Sequence, residues 1–208
     1  MRDFTAMKMN RLEKWMMNNP LRAAIQRHYA APILLELGRG AAVDRVLEIG
    51  CGNGVGVEII LDAFHAKQVD AFDLDDELVD LARKRLSRRG DAVRLWSGSA
   101  TEIQAGDGAY DAVFAFGVIH HLPDWRRGVR EVVRVLKPGG VFFAEESYAS
   151  FITHPLWRRI MDHPQEDRFD HQQLRAELVT AGLEELGERL APGSGSGWIV
   201  GRKRAHEG

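Results

Sequence analysis

From residue 45 onward, short apolar runs alternate with stretches in which apolar side chains return every three to four positions. The runs are 46–49, 69–72, 93–96, 112–116 and 141–144. Each is short and rich in Val, Ile, Leu or Phe, the signature of a strand buried on both faces. The intervening stretches read as helices. Residues 76–88 begin with acids and end with Arg83, Lys84, Arg85 and Arg88, the polarity a helix dipole favours. Residues 124–136 place Val129, Val132, Val133 and Leu136 on one face. Residues 170–181 open with Asp170 and Gln173 in capping-box spacing, and Gly182 follows as a stop. Strands alternating with helices predict a parallel sheet covered on both faces. No helix separates 183–190 from 198–203, only a Gly/Ser turn, so that last pair is expected to be antiparallel.

The stretch before residue 45 has the helical period alone. Asn19 before Pro20 predicts a cap followed by a proline in the first helical turn. Leu21, Ala24, Ile25 and His28 fall on one face, Pro32 is expected to interrupt, and Gly38 ends the run. This divides the chain into a helical annex or lid over 1–42 and an α/β domain over 43–208. The annex has more Lys and Arg than Asp and Glu, which reads first as a solvated face.

Composition narrows the partners. The 208 residues carry a formal net charge of -2, so the chain as a whole has no attraction to nucleic acid or to an anionic membrane. Nucleic acid is therefore a disfavoured partner. No apolar run is long enough for a transmembrane segment, and the N-terminus is mixed in charge, without an apolar signal region. Cys51 is the single cysteine. It permits no internal disulfide and no cysteine cluster for a metal, so no metal is expected, and a reducing, cytoplasmic setting fits.

The strongest local signal is V-L-E-I-G-C-G-N-G-V-G over 46–56, a buried strand running into a glycine turn and then a helix. Gly50, Gly52 and Gly54 let a ligand lie directly on backbone at the carboxyl end of the first strand. A dinucleotide fingerprint would need glycine at 55, where the chain has Val55. Glu48, inside the strand, would oppose a diphosphate but suits a ligand bearing an ammonium and a sulfonium. Its alternative is an acid bonded to nearby backbone amides. Asp73, at the end of the second strand, is placed to reach the two hydroxyls of a ribose. Asp75 and Asp76 read instead as helix caps.

These segments, with Y-D-A-V-F-A-F-G-V-I-H-H-L over 110–122 and R-V-L-K-P-G-G over 134–140, resemble successive motifs of the class I S-adenosylmethionine-dependent methyltransferases. The resemblance covers about half the chain. It implies a Rossmann-like seven-stranded sheet of order 3-2-1-4-5-7-6, mostly parallel with the last strand antiparallel, and S-adenosylmethionine as cofactor. It implies that Glu48, Gly50, Gly52 and Gly54, with Cys51 in the same turn, surround the methionine end. Asp73 would bind the ribose, Leu74 would pack on the adenine, and Ser99 and Ala100 would meet the adenine edge. Phe116 or Gly117 would face the methionine moiety. Relatives often have an aspartate where this chain has Ser99, which leaves a hydroxyl acceptor without charge assistance; Thr101 or Glu102 is a possible compensator. Cys51 reads as a small packing residue rather than a nucleophile.

Methyl transfer to a neutral leaving group needs alignment and exclusion of water above all, and a base only where the acceptor must lose a proton. His120, His121 and Glu145 are the candidates for that role, against the alternative that the histidines orient their loop. Tyr148, His154 and Trp157 lie in an aromatic segment, 147–169, which is a candidate substrate wall. The expected acceptor is a small or lipid-like molecule. A protein or RNA acceptor and a non-catalytic binding module are the rival readings. The Asn-Pro-Pro-aromatic motif of amino-group methylases is missing after the fourth strand, and no second cysteine exists for attack on a pyrimidine.

Overall fold

The computed structural model describes residues 19–148, 168–193 and 195–205. Seven strands form one sheet: β1 (Arg45–Ile49), β2 (Gln68–Asp73), β3 (Val93–Ser97), β4 (Tyr110–Phe116), β5 (Leu136–Ser147), β6 (Leu183–Leu190) and β7 (Ser196–Lys203). Their order is β3-β2-β1-β4-β5-β7-β6, parallel except for the two pairings of β7. Between them run α3 (Val55–Asp62), α4 (Asp76–Leu86), α5 (Trp125–Val135) and α6 (His171–Thr180), preceded by α1 (Pro20–Ile25) and α2 (Ala31–Leu37). This is the order and antiparallel last strand that the family resemblance implies.

Alternation along the strands divides the core in two. Phe114 and Phe143 stack with ring centroids 4.4 Å apart on one face, and Phe64 meets both edge-on. On the other face Leu47, Ile49, Val113 and Phe142 pack with Trp125, Val129 and Val132 of α5. The helix ends are closed by the acids the pattern singled out. Asp75 accepts from the Glu77 amide, Asp124 from Arg127, and Asp170 and Gln173 bond reciprocally. Gly182, at φ 104°, turns the chain out of α6.

The N-terminal helices differ from expectation in two ways. Pro32 does not interrupt them: α1 and α2 are joined by a π-helical turn, Gln26–Ala30, in which the Ala31 amide bonds the Gln26 carbonyl. One extra residue in that turn lets the proline enter the next helix at its first turn, where no amide is needed. The expected apolar face points outward, with Leu21 70% exposed and Ile25 44%. The inward face is Asn19, Ala23, Gln26 and Ala30. Small and neutral residues there allow the helix to lie close over the ends of the strands.

Gly54 makes one demand of its own. Its φ is 89°, and a Cβ would meet Leu86 Cδ1 at 2.9 Å and Ala82 Cβ at 3.2 Å. The glycine is required by the contact between the α3 entry and α4. Gly54→Ala is expected to cost about 1–3 kcal/mol through strain and overpacking, read as a lowered midpoint in chemical denaturation.

Candidate active site

The sheet order reverses between β1 and β4, so the loops after these strands diverge and leave a crevice at their carboxyl ends. A cavity of about 360 Å³ occupies it. Its floor is the turn Gly50, Cys51 and Gly52. One wall is Asp73 and Leu74 after β2, with Ser99, Ala100 and Thr101 beyond β3. The other is Phe116, Gly117, Val118 and His121 after β4. Asn19, Ala23 and Gln26 roof it from α1 and the π turn. The cavity thus gathers residues separated by more than a hundred positions in the chain.

The floor is bare backbone for a physical reason. Gly50 and Gly52 have φ of 66° and 53°, a region side-chain-bearing residues avoid. A Cβ on Gly50 would also strike Val118 Cγ2 at 2.6 Å. On Gly56 it would fall 1.9 Å from Glu48 Oε1 and 2.8 Å from Phe116. The turn is fastened to β2 by the Cys51 amide on the Phe72 carbonyl and by the Gly52 amide on Asp73 Oδ2, each at 2.9 Å.

Two buried carboxylates face this floor. Asp73 is 8% exposed and also accepts from the Asp75 amide through Oδ1 at 3.0 Å. Burial raises its pKa, and the amides of Asp75 and Gly52 pull it back. Glu48 is 1% exposed, and its Oε2 has no hydrogen-bond partner. Burial, with Asp73 nearby, pushes its carboxyl well above the usual range. An acid so placed is costly unless a cation or donor arrives to meet it. Burial and the same two acids push the Cys51 thiol up. It therefore stays neutral and acts as packing.

Glu48 supplies a test by pH. A carboxyl with a raised folded pKa stabilises the fold below the ordinary carboxylate range, and that contribution is lost as pH rises toward the raised value. Glu48→Gln should therefore melt higher than the parent at neutral pH and flatten the pH profile of the melting temperature. The same change should weaken an ammonium-bearing ligand by about tenfold.

Three residues expected near the chemistry are engaged elsewhere. Glu145 receives Arg22 Nη1 on Oε1 at 2.8 Å and ties α1 to the tip of β5. His120 is 7% exposed, with Nδ1 2.6 Å from Glu146 Oε2. Tyr148 is 1% exposed, with its hydroxyl 2.8 Å from His171 Nδ1 and its ring against Phe169. None of the three lines the cavity, because each is held by a partner in the scaffold. Gly54 is likewise off its wall. Of the expected bases, His121 is the one on the wall, its ring 4.2 Å from that of His120. Ser99 and Thr101 share a bond, Oγ to Oγ1 at 2.9 Å, so the pair presents hydroxyls to the cavity. His154 and Trp157 lie outside the described residues.

Sequence alternation puts Glu146 on the face of β5 opposite Glu145 but assigns it no role. Its Oε1 accepts from the amides of Val118 and Ile119 at 3.1 and 2.8 Å, and its Oε2 from the His120 amide at 3.3 Å. Burial pushes this carboxyl up to about 8 against the pull of those amides. It holds the loop that carries His121. No local signal marks it, since its partners lie 26–28 residues earlier.

Fit to the implied cofactor can be judged from these groups. A floor without Cβ atoms, an orphaned carboxylate at 48 and a second at 73 match an adenosyl amino acid with its ammonium and ribose. Comparison with known proteins agrees. The Methyltransferase domain family model matches residues 47–144. The chain belongs to the class I S-adenosylmethionine-dependent methyltransferase family.

A probable S-adenosylmethionine-dependent methyltransferase of Mycolicibacterium smegmatis is 37% identical over 68% of this chain and 51% of its own length. A fatty-acid O-methyltransferase of the same organism is 27% identical over 74% of this chain and 58% of its own. The chain thus spans about half the length of the curated relatives it matches. Among solved structures, the [4+2]-cyclase SpnF superposes with a TM-score of 0.70 at 19% identity, covering 85% of this chain and 80% of that one. That likeness concerns the fold alone. Among the described residues no helix is long and apolar enough to cross a membrane, and no cluster of three or more metal-ligating side chains occurs.

Proposed function

We propose that this protein transfers a methyl group from S-adenosylmethionine to a small or lipid-like acceptor. The observation that carries the reading is the cavity over the glycine turn, with buried carboxylates at 48 and 73. When bound, the cofactor supplies an electrophilic methyl group on a sulfonium. Glu48 would hold the ammonium of its amino-acid end and Asp73 its ribose hydroxyls. Leu74, Ser99 and Ala100 would border the adenine. Phe116 and Gly117 would border the methionine moiety. The roof of Asn19, Ala23 and Gln26 excludes water and aligns the acceptor. Where the acceptor must lose a proton, His121, which lines the cavity, would take it.

A small acceptor is favoured by the apolar wall of Ala23, Val118, Leu122 and Pro123. The fatty-acid O-methyltransferase relative points the same way. Radiolabelled cofactor, offered with a fatty-acid panel, a metabolite extract, an RNA pool and a protein pool, tests the reading. Label is expected in an extractable small molecule. Label confined to RNA or protein would overturn the choice of acceptor, and no transfer to any pool would favour a binding module.

A further inference from the structure

Gln26 is 8% exposed and lines the cavity, yet among the described residues its side-chain amide has no hydrogen-bond partner. Its backbone is fully used within the helix. The Gln26 amide bonds the carbonyls of Arg22 and Ala23, and its carbonyl accepts from Ala31. The polar group left for the cavity is therefore the side chain. Its polar atoms face the cavity rather than the protein interior, so a ligand there can take the bond that no side chain makes.

Two ion pairs fix where along the cavity this amide sits. Arg22, four residues before it, is bound to Glu145 at the tip of β5. Arg27, the next residue, pairs at 3.1 Å with Glu58 in the first turn of α3. Gly56, in that same turn, is the residue whose Cβ would collide with Glu48. Gln26 therefore stands on the Glu48 side, across the strand ends from the adenine wall. The π turn widens the helix at this residue, a distortion that recurs at functional sites.

We propose, resting on the methyltransferase reading above, that Gln26 binds the α-carboxylate of the cofactor's amino-acid end while Glu48 binds its ammonium. Among the described residues, Arg127, carried by α5 after the 117–124 loop, is the one Lys or Arg that lines the cavity. A guanidinium at 26 would pair with Glu48 and take the place of the ligand's ammonium. A neutral donor serves the carboxylate and leaves Glu48 available. The assignment makes the π turn part of the cofactor site and gives α1 a binding role as well as a shielding one.

Calorimetric titration with two ligands tests it. S-adenosylhomocysteine carries the amino-acid end; 5′-methylthioadenosine shares the nucleoside and sulfur but lacks that end. Gln26→Leu is expected to weaken S-adenosylhomocysteine by about tenfold and to leave 5′-methylthioadenosine within about twofold. Gln26→Glu, which sets like charges together, should weaken the first ligand further and again spare the second. Equal loss for both ligands would mean a structural role and would overturn the assignment, as would unchanged binding of S-adenosylhomocysteine. Parent protein that takes up neither ligand would overturn the methyltransferase reading itself, and this assignment with it.

Discussion

Asp73→Ala is expected to raise the dissociation constant for S-adenosylhomocysteine by at least about a hundredfold. Two charge-assisted hydrogen bonds to ribose hydroxyls are worth roughly 1.5–3 kcal/mol each, and 2.7 kcal/mol is about a hundredfold. Folding must be separated from binding here, because the same carboxylate holds the amides of Gly52 and Asp75. Asp73→Asn keeps one acceptor oxygen but turns an NH2 toward the other of the two amides, so it should lose about 1–3 kcal/mol of stability as well as binding about tenfold more weakly than the parent. Calorimetry beside thermal melts gives both numbers. If Asp73→Ala is folded and binds as the parent does, the ribose assignment is wrong.

The second large effect belongs to Glu146, and it is one of stability. Alanine there would leave three backbone amides and His120 Nδ1 facing an empty space. Each unsatisfied buried group costs about 1–3 kcal/mol, and partial entry of water moderates the sum to roughly 3–6 kcal/mol. For a domain of this size that lowers the melting temperature by on the order of 10 °C or more. Arg168, which donates to the His120 carbonyl at 2.9 Å, leaves the loop amides of Val118, Ile119 and His120 unmet. Glu146→Gln retains an oxygen for the Val118 and Ile119 amides and should recover part of the loss. Differential scanning calorimetry of the two variants measures the gap. An alanine variant that melts with the parent would show that the loop is held by other contacts.

Much of the architecture could be read from the chain because its signals are local. Asp75, Asp124 and Asp170 cap helices within three residues of themselves. The glycine turn, Glu48 and Asp73 sit at strand ends that apolar runs announce. The order of the strands came through the family resemblance, since periodicity alone gives no order.

What escaped is non-local. Leu21 and Ile25 look like the buried stripe of α1, yet the buried face is the one that meets Glu145 and the cavity, 123 residues away in the case of Arg22. Alternation along β5 predicts that Glu145 and Glu146 face opposite ways, but not their partners, which are the N-terminal helix for one and the histidine loop for the other. His120 and His121 divide as the sequence allowed, one bound to Glu146 and one on the wall. The unpartnered amide of Gln26 is invisible until the helix is laid over the strand ends.

Titration of the parent protein with S-adenosylhomocysteine tests the central claim most directly. Saturable heat with one equivalent bound, displaced by 5′-methylthioadenosine in excess, is the predicted result. An absence of heat at millimolar ligand would contradict it.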